Sequence, residues 1–400
     1  MAIKAERTDR TGLERVRSDR VASLVQSDIR AMTQRCLELD GVNLGQGICD
    51  TPPPELLAGA VAPAIERGDN RYTRYDGIGR LRHALADRLQ RHNGLDVDPD
   101  GEIVVTIGST GAFATTVMAL CNPGDAIILL EPYYGYHLNT ARVAGLETRL
   151  VGLRPDDFSL DMAALEEAAK GARALVLNTP GNPSGRVFKR RELEQLGELC
   201  QRHDLLCITD EIYEYFLFDG HRHISPATLP SLRDRTVTIS GYSKTYSITG
   251  WRIGFLTAPR DMAQAIGLVN DLYYVCAPSP LQAAVAETIK ALGDDYYQGL
   301  AHDFQLKRDD FCGVLKDIGL TPRIPEGAYY VLADVTPLGK SSSQAAAMEI
   351  LEQAGVASVP GSAFFSGDEG ESVVRFCFGK SDQTLHAAQE RLLRWGRAGA

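Results

Sequence analysis

TVTISGYSKTYSITGWRIGFLTA, residues 236–258, consists of two β-branched apolar runs, TVTIS and GFLTA, enclosing a polar turn. Short apolar runs bounded by turn residues read as buried strands, which puts the turn at a strand end. It carries one lysine, Lys244, among small and hydroxyl residues, with Arg252 eight positions downstream. A lysine on such a turn, beside a fixed cation, suits an amine that forms a Schiff base with a phosphorylated aldehyde. The carbonyl takes the nucleophilic amine and the phosphate takes the guanidinium fork. The plainer alternative is a solvated lysine and arginine on a surface loop, where most such residues sit.

Outward from this stretch, apolar β-branched runs recur at IVVTI (103–107), AIILL (126–130), RALVL (173–177) and LLCIT (205–209). Helix-like segments lie between most of them, for example residues 190–203. From about residue 60 to 290 this alternation implies an α/β fold with a mostly parallel sheet flanked by helices. Ligands of such sheets gather at the carboxyl ends of the strands. From about residue 300 the rhythm changes. A long amphipathic stretch leads to YYVLADV (329–335), another helical stretch, SVVRFCF (372–378) and a final helix. That suits a smaller α+β domain, which the first 50 or so residues would join.

The motifs fall just after these runs. IVVTI leads into Gly108-Ser109-Thr110-Gly111 and a helix-like AFATTVMAL. Glycine, hydroxyls and free backbone N–H groups at a helix start make an anion cradle, although glycine turns before helices are common. NTPGNPSG (178–185) follows RALVL; its prolines stiffen a loop that aims Asn182, with the Asn182–Pro183 bond a candidate for cis. As plain text it is a polar turn. Asp210 ends LLCIT, where an ionised carboxylate needs a partner. A protonated pyridine nitrogen would serve, as would a role in capping the next turn. Tyr213, three residues on, can give its hydroxyl to a phenolate oxygen. Arg375 sits inside VVRFCF, where a bidentate guanidinium suits a substrate carboxylate or a structural ion pair.

Composition narrows the class. At 400 residues the chain is long enough for two domains, and its formal charge of −10 argues against a nucleic-acid partner. The start, MAIKAERTDRTGLERVRSDR, is charged throughout and does not read as a secretory signal. No apolar run approaches a membrane span. The eight cysteines are scattered without metal spacing, which suits a reducing cytoplasm and no metal site.

Together these pieces resemble the class I/II aminotransferases, the fold-type I family that uses pyridoxal 5′-phosphate. The resemblance runs from GVNLGQG (41–47) through YTRYDGIGRLR (72–82), NTPGNPSG, TDEIY, SKTYSITGWRIGF and PEGAYY (325–330) to VPGSAFF and VVRFCF. It implies a large domain with a mostly parallel seven-stranded sheet and a smaller α+β domain. The chain would divide into an arm and part of the small domain (1–60), a large cofactor-binding domain (61–295) and a small C-terminal domain (296–400). By the same resemblance Lys244 is the Schiff-base lysine, Asp210 pairs with the ring nitrogen, and Tyr213 and Asn182 hydrogen-bond the ring hydroxyl. Tyr134 stacks on the ring and also faces the substrate, as Asn182 does. Gly108, Ser109, Thr110 and Arg252 hold the phosphate. Tyr72 reaches the phosphate of a neighbouring subunit, implying a homodimer with shared sites. Arg375 binds the substrate carboxylate, and the backbone of Gly47 touches the substrate.

Gly241 stands where many relatives place a phosphate-binding serine, ICDTPPPE (48–55) replaces the frequent text after GQG, and Ser184 stands where threonine is usual. The GQG and VPGSAFF text leans towards the branch acting on aromatic, sulfur-containing or kynurenine-like amino acids. The implied activity is ping-pong transfer of an L-amino acid's amine to a 2-oxo acid such as 2-oxoglutarate or pyruvate. Another reaction of the same cofactor on an amino acid (β-elimination, cyclisation, Cα–Cβ chemistry or oxidation) is the nearest alternative. A regulator built on the same fold is disfavoured by the intact Lys244, Asp210 and Arg375.

Overall fold

The computed structural model describes residues 18–22, 24 and 28–399; the first 17 residues of the expected N-terminal arm lie outside the described residues. Seven strands form the main sheet: β1 (Ile103–Ile107), β2 (Ala126–Glu131), β3 (Glu147–Gly152), β4 (Ala172–Asn178), β5 (Leu206–Asp210), β6 (Thr236–Gly241) and β7 (Ile253–Thr257). Their order across the sheet is β1-β7-β6-β5-β4-β2-β3. All neighbours run parallel except β7, which is antiparallel to both β1 and β6.

All of these strands but β3 are mostly buried along their length, because both faces are covered. Ile127 and Leu129 pack with Val176, Ile208 and Ile239 on one face. Ile128 and Leu130 pack with Leu175, Leu177 and Cys207 on the other. The flanking helix Arg190–Arg202 buries Leu193, Leu196, Leu199 and Cys200 at three- and four-residue spacing, and Glu192 reaches back to the Lys189 N–H at its start. β3 lies at one edge of the sheet, opposite β1. Its mixed exposure explains why ETRLVG does not read as a strand in the sequence.

Four further strands, β8 (Thr321–Arg323), β9 (Tyr330–Asp334), β10 (Val359–Pro360) and β11 (Val373–Cys377), form a separate antiparallel sheet of order β10-β11-β9-β8. Helices Asp294–Asp317 and Asp382–Gly399 contribute Phe304, Phe311, Leu385 and Leu392 to its core. Val42–Asn43 pairs in parallel with Val356–Ala357, which ties the early chain to this unit. Among the described residues no helix is long and apolar enough to cross a membrane.

Candidate active site

β1, β2, β4, β5 and β6 all point the same way, so their carboxyl ends share one edge of the sheet. β7 runs against them and therefore begins at that edge. Lys244 follows β6, and Arg252 immediately precedes β7. The turn between them is thus folded back on the site rather than leading away from it. Burial lowers the Lys244 amine below the ordinary lysine range, and the nearby charge of Arg252 adds to this against the opposing pull of Cys49, Cys377 and Asp210. Its Nζ donates to the Gly47 carbonyl at 2.8 Å.

Asp210 terminates β5 and is only 5% exposed. One carboxylate oxygen meets His137 Nε2 at 3.0 Å, and the other accepts the Ile212 N–H at 3.2 Å. The Ile212 contact is the turn-capping role that the sequence offered as the alternative, and His137 is a partner that the sequence did not indicate. Asn178, opposite Asp210 in the ladder, donates from Nδ2 to the Asp210 carbonyl and accepts the Asn182 N–H at 2.7 Å. The Asn182–Pro183 bond is cis, as are Glu131–Pro132 and Thr179–Pro180. Tyr213 is buried with its hydroxyl 2.9 Å from that of Tyr330, and burial first, then neighbouring tyrosines and Asp210, hold its pKa well above the phenol range. Tyr134 begins the helix Gly135–Val143 and meets the His137 ring edge-on at 5.1 Å.

The helix Gly108–Leu120 starts with no side-chain cap, so its first-turn N–H groups are free for an anion. Gly108 has φ +66°, and a Cβ there would lie 2.6 Å from Arg252 Nη2. The glycine keeps open the space between the helix start and the guanidinium, with Ser109 and Thr110 half-buried beside it. Arg252 itself is left-handed at φ +58°, a costly conformation for a non-glycine residue, and Nη1 donates to Thr249 O at 2.9 Å. An uncapped helix start, a cleared space and a cation fit a phosphate.

Arg375, in β11, is 1% exposed. Nη1 donates to Asn182 Oδ1 at 2.8 Å and Nη2 to the Gly45 carbonyl at 2.6 Å, while Nε has no partner. The guanidinium lies between the Tyr330 and Phe364 rings, 4.4 and 4.7 Å from their centroids. Among the described residues no carboxylate pairs with it, so the structural ion pair is not what holds it. Tyr72, by contrast, is 85% exposed and joins nothing in this group within one chain.

The model of the aminotransferase class I and II family matches residues 40–392. Kynurenine–oxoglutarate transaminase 3 of the mouse is 35% identical over 385 residues, covering 88% of this chain and 84% of that protein. The solved structure of an N-succinyldiaminopimelate aminotransferase from Mycobacterium tuberculosis superposes with a TM-score of 0.91 at 34% identity, covering 95% of this chain and all of the other. A methionine aminotransferase from Escherichia coli superposes with a TM-score of 0.91 at 29% identity, covering 94% and 99%. The chain belongs to the class I and II aminotransferases. It moves the amino group of an amino acid to a 2-oxo acid.

Several residues of this aminotransferase site were not singled out in the sequence. His137 lies one helical turn after Tyr134, but nothing in the text pairs it with Asp210, 73 positions away. Tyr329, Tyr330 and Phe364 lie inside the motifs PEGAYY and VPGSAFF, whose text carries no sign of the contacts they make. Lys380 carried no signal beyond following VVRFCF.

Proposed function

We propose that this aminotransferase holds pyridoxal 5′-phosphate among these residues and takes its amine from an aromatic, sulfur-containing or kynurenine-like amino acid, with 2-oxoglutarate as acceptor. The observation that carries the reading is Arg375, a buried guanidinium that pairs with no carboxylate among the described residues and that reaches from the small sheet to Asn182, in the loop after β4. When bound, the cofactor supplies an aldehyde for the incoming amine and an electron-withdrawing ring that stabilises negative charge at the substrate Cα.

The chain's residues do the rest. Gly108, Ser109, Thr110 and Arg252 hold the phosphate through the helix N-terminus and the guanidinium. Asp210, steadied by His137, holds a proton on the ring nitrogen. Asn182 and Tyr213 donate to the ring hydroxyl oxygen; the raised Tyr213 pKa keeps its phenol a donor at neutral pH. Tyr134 covers a ring face. The lowered pKa of Lys244 eases loss of its proton, so that its amine can act as nucleophile and then move the proton at the substrate Cα. Arg375 fixes the α-carboxylate against the wall formed by Gly47, and so aims the Cα–H bond.

The donor class is supported by the GQG and VPGSAFF text and by the names of the kynurenine and methionine relatives. For a division at 1–60, 61–295 and 296–400, the core that joins Met32, Cys36 and Leu44 to Phe304, Phe311 and Leu392 supports an early segment shared with the small domain. Ile212, Tyr213, Phe216 and Phe218 also pack into that core, and Leu57, Ala60 and Tyr297 pack with the large domain. A homodimer with shared sites is supported by the exposed Tyr72 and by Leu268, Leu272, Tyr273 and Val275, which project from the helix Arg260–Tyr274 and its end. The test is to supply kynurenine, phenylalanine, methionine and aspartate singly, each with 2-oxoglutarate, and measure glutamate and ammonia. Glutamate with the first three carries the reading. Ammonia without glutamate refutes transfer, and a preference for aspartate refutes the donor class.

A further inference from the structure

Residues 45–48 form a strap of backbone whose four successive carbonyls are all held by side chains. Gly45 O accepts from Arg375 Nη2 at 2.6 Å, and Gly47 O accepts from Lys244 Nζ at 2.8 Å and Tyr329 Oη at 3.2 Å. Gln46 O and Ile48 O both accept from Lys380 Nζ, at 3.0 and 2.9 Å. Alternate carbonyls therefore go to the two cations that the proposed function assigns to ligands, and the others to one lysine that it does not use. Lys380 is buried, and among the described residues its ammonium meets no carboxylate. A buried cation without a counter-charge is costly, and here only the two carbonyls compensate it.

The main chain around Lys380 is secured independently of its side chain. Lys307 Nζ donates to the Lys380 carbonyl at 2.6 Å, and the Asp50 carboxylate takes the Ser381 N–H and, at 2.6 Å, the Thr384 hydroxyl. At the other end Asn43 Oδ1 accepts the Gly45 and Gln46 N–H groups at 2.9 and 3.0 Å. The middle of the strap presses on the carboxylate pocket. A Cβ at Gly47 would lie 1.9 Å from the Tyr330 hydroxyl, and the Tyr330 ring lies against Arg375.

We propose that Lys380 is a positioning residue, which holds the strap in place once Lys244 and Arg375 have turned from its carbonyls to cofactor and substrate. This rests on the proposed roles of those two residues. In the free protein three basic side chains share the strap. In the loaded enzyme Lys380 and Tyr329 remain, and of these only Lys380 bears a charge and spans two carbonyls. Slack in the strap is slack in the wall against which Arg375 holds the carboxylate. The consequence falls on substrate binding more than on turnover.

The experiment compares wild type, Lys380→Met, Lys380→Gln and Lys380→Arg. Steady-state kinetics with donor and 2-oxoglutarate, on enzyme saturated with pyridoxal 5′-phosphate, are combined with amide hydrogen exchange of the segment 44–50 in the cofactor-free protein and with cofactor and substrate bound. Methionine cannot donate and glutamine is too short to span both carbonyls, so either variant, if folded, decides. KM should rise about tenfold for each charge-assisted hydrogen bond lost, with kcat within about threefold of wild type. Exchange of 44–50 should match wild type in the unliganded protein and quicken at least about tenfold in the loaded one. Arginine should recover most of the KM. Unchanged KM, or exchange that quickens equally with and without ligands, overturns the proposal, because a merely structural lysine acts in both states. Absence of transfer in the wild type would instead refute the proposed function.

Discussion

Replacing Arg375 with methionine separates a substrate-binding guanidinium from a structural one. In the free protein two opposing terms nearly cancel. Removing a buried cation that has no carboxylate relieves an effective penalty of several kcal/mol. It also leaves Asn182 Oδ1 and Gly45 O without their donor, at about 1–3 kcal/mol each. The methionine still fills the space between Tyr330 and Phe364. The melting temperature should therefore shift by no more than a few degrees. Binding has no such cancellation. A substrate carboxylate brought to this pocket would face an unpaired desolvation, a loss of about 2–5 kcal/mol, or roughly 30- to 5,000-fold in affinity. The assay is a chemical double-mutant cycle, with wild type and Arg375→Met each titrated with the amino acid and with the same amine lacking its carboxylate. Wild type should prefer the amino acid by the full factor, and the variant should barely distinguish the two. A coupling energy below about 0.5 kcal/mol would refute the assignment and place the carboxylate elsewhere.

Gly108→Ala puts a methyl 2.6 Å from Arg252 Nη2 at a residue with φ +66°, which costs an L residue about 1–2 kcal/mol before any displacement of the arginine. Affinity for pyridoxal 5′-phosphate, read by equilibrium titration, should fall at least about tenfold; an unchanged affinity would move the phosphate away from this helix start. His223, buried at 2.6 Å from Glu211, would be depressed by burial alone, but Glu211 and Glu214 raise its pKa above the histidine norm. A raised folded-state pKa gives stability that is fully present below about pH 6.5 and is lost as pH rises through the folded value. His223→Gln should abolish that decline in a melting-temperature series above pH 6.5, and an identical slope in the variant would count against the pair. Tyr72 variants and Lys244 variants, each inactive alone, should regain activity on mixing if the exposed Tyr72 serves a neighbouring subunit. No recovery under demonstrated subunit exchange would exclude a shared site.

The six strand runs legible in the text, 103–107 to 254–258, match β1, β2, β4, β5, β6 and β7 within a residue or two. They were legible because strands buried on both faces are rich in apolar and β-branched residues, with only small hydroxyls such as Thr236, Thr238 and Ser240 interleaved. β3 was not, since this edge strand is only partly covered whereas the opposite edge strand, β1, is buried nearly throughout, and Thr321–Arg323 and Val359–Pro360 are too short for any period to show. The antiparallel direction of β7 was also hidden. It depends on where the chain turns after Lys244, and strand text reads alike in both directions.

Of the site, the sequence alone determined the chemistry-bearing residues at strand ends: Lys244 after β6, Asp210 closing β5, Asn182 after β4, and the glycine turn after β1. Their positions relative to neighbouring apolar runs are local facts, and burial periodicity is written into the chain residue by residue. Which of them meet was decided only by tertiary structure. The reversed β7 brings Arg252 to Gly108, β11 carries Arg375 to Asn182 across 193 positions, and the strap at 45–48 meets Lys244, Arg375 and Lys380. Such contacts join groups with no local relation, and they form because packing two separate sheets leaves those cations few other acceptors.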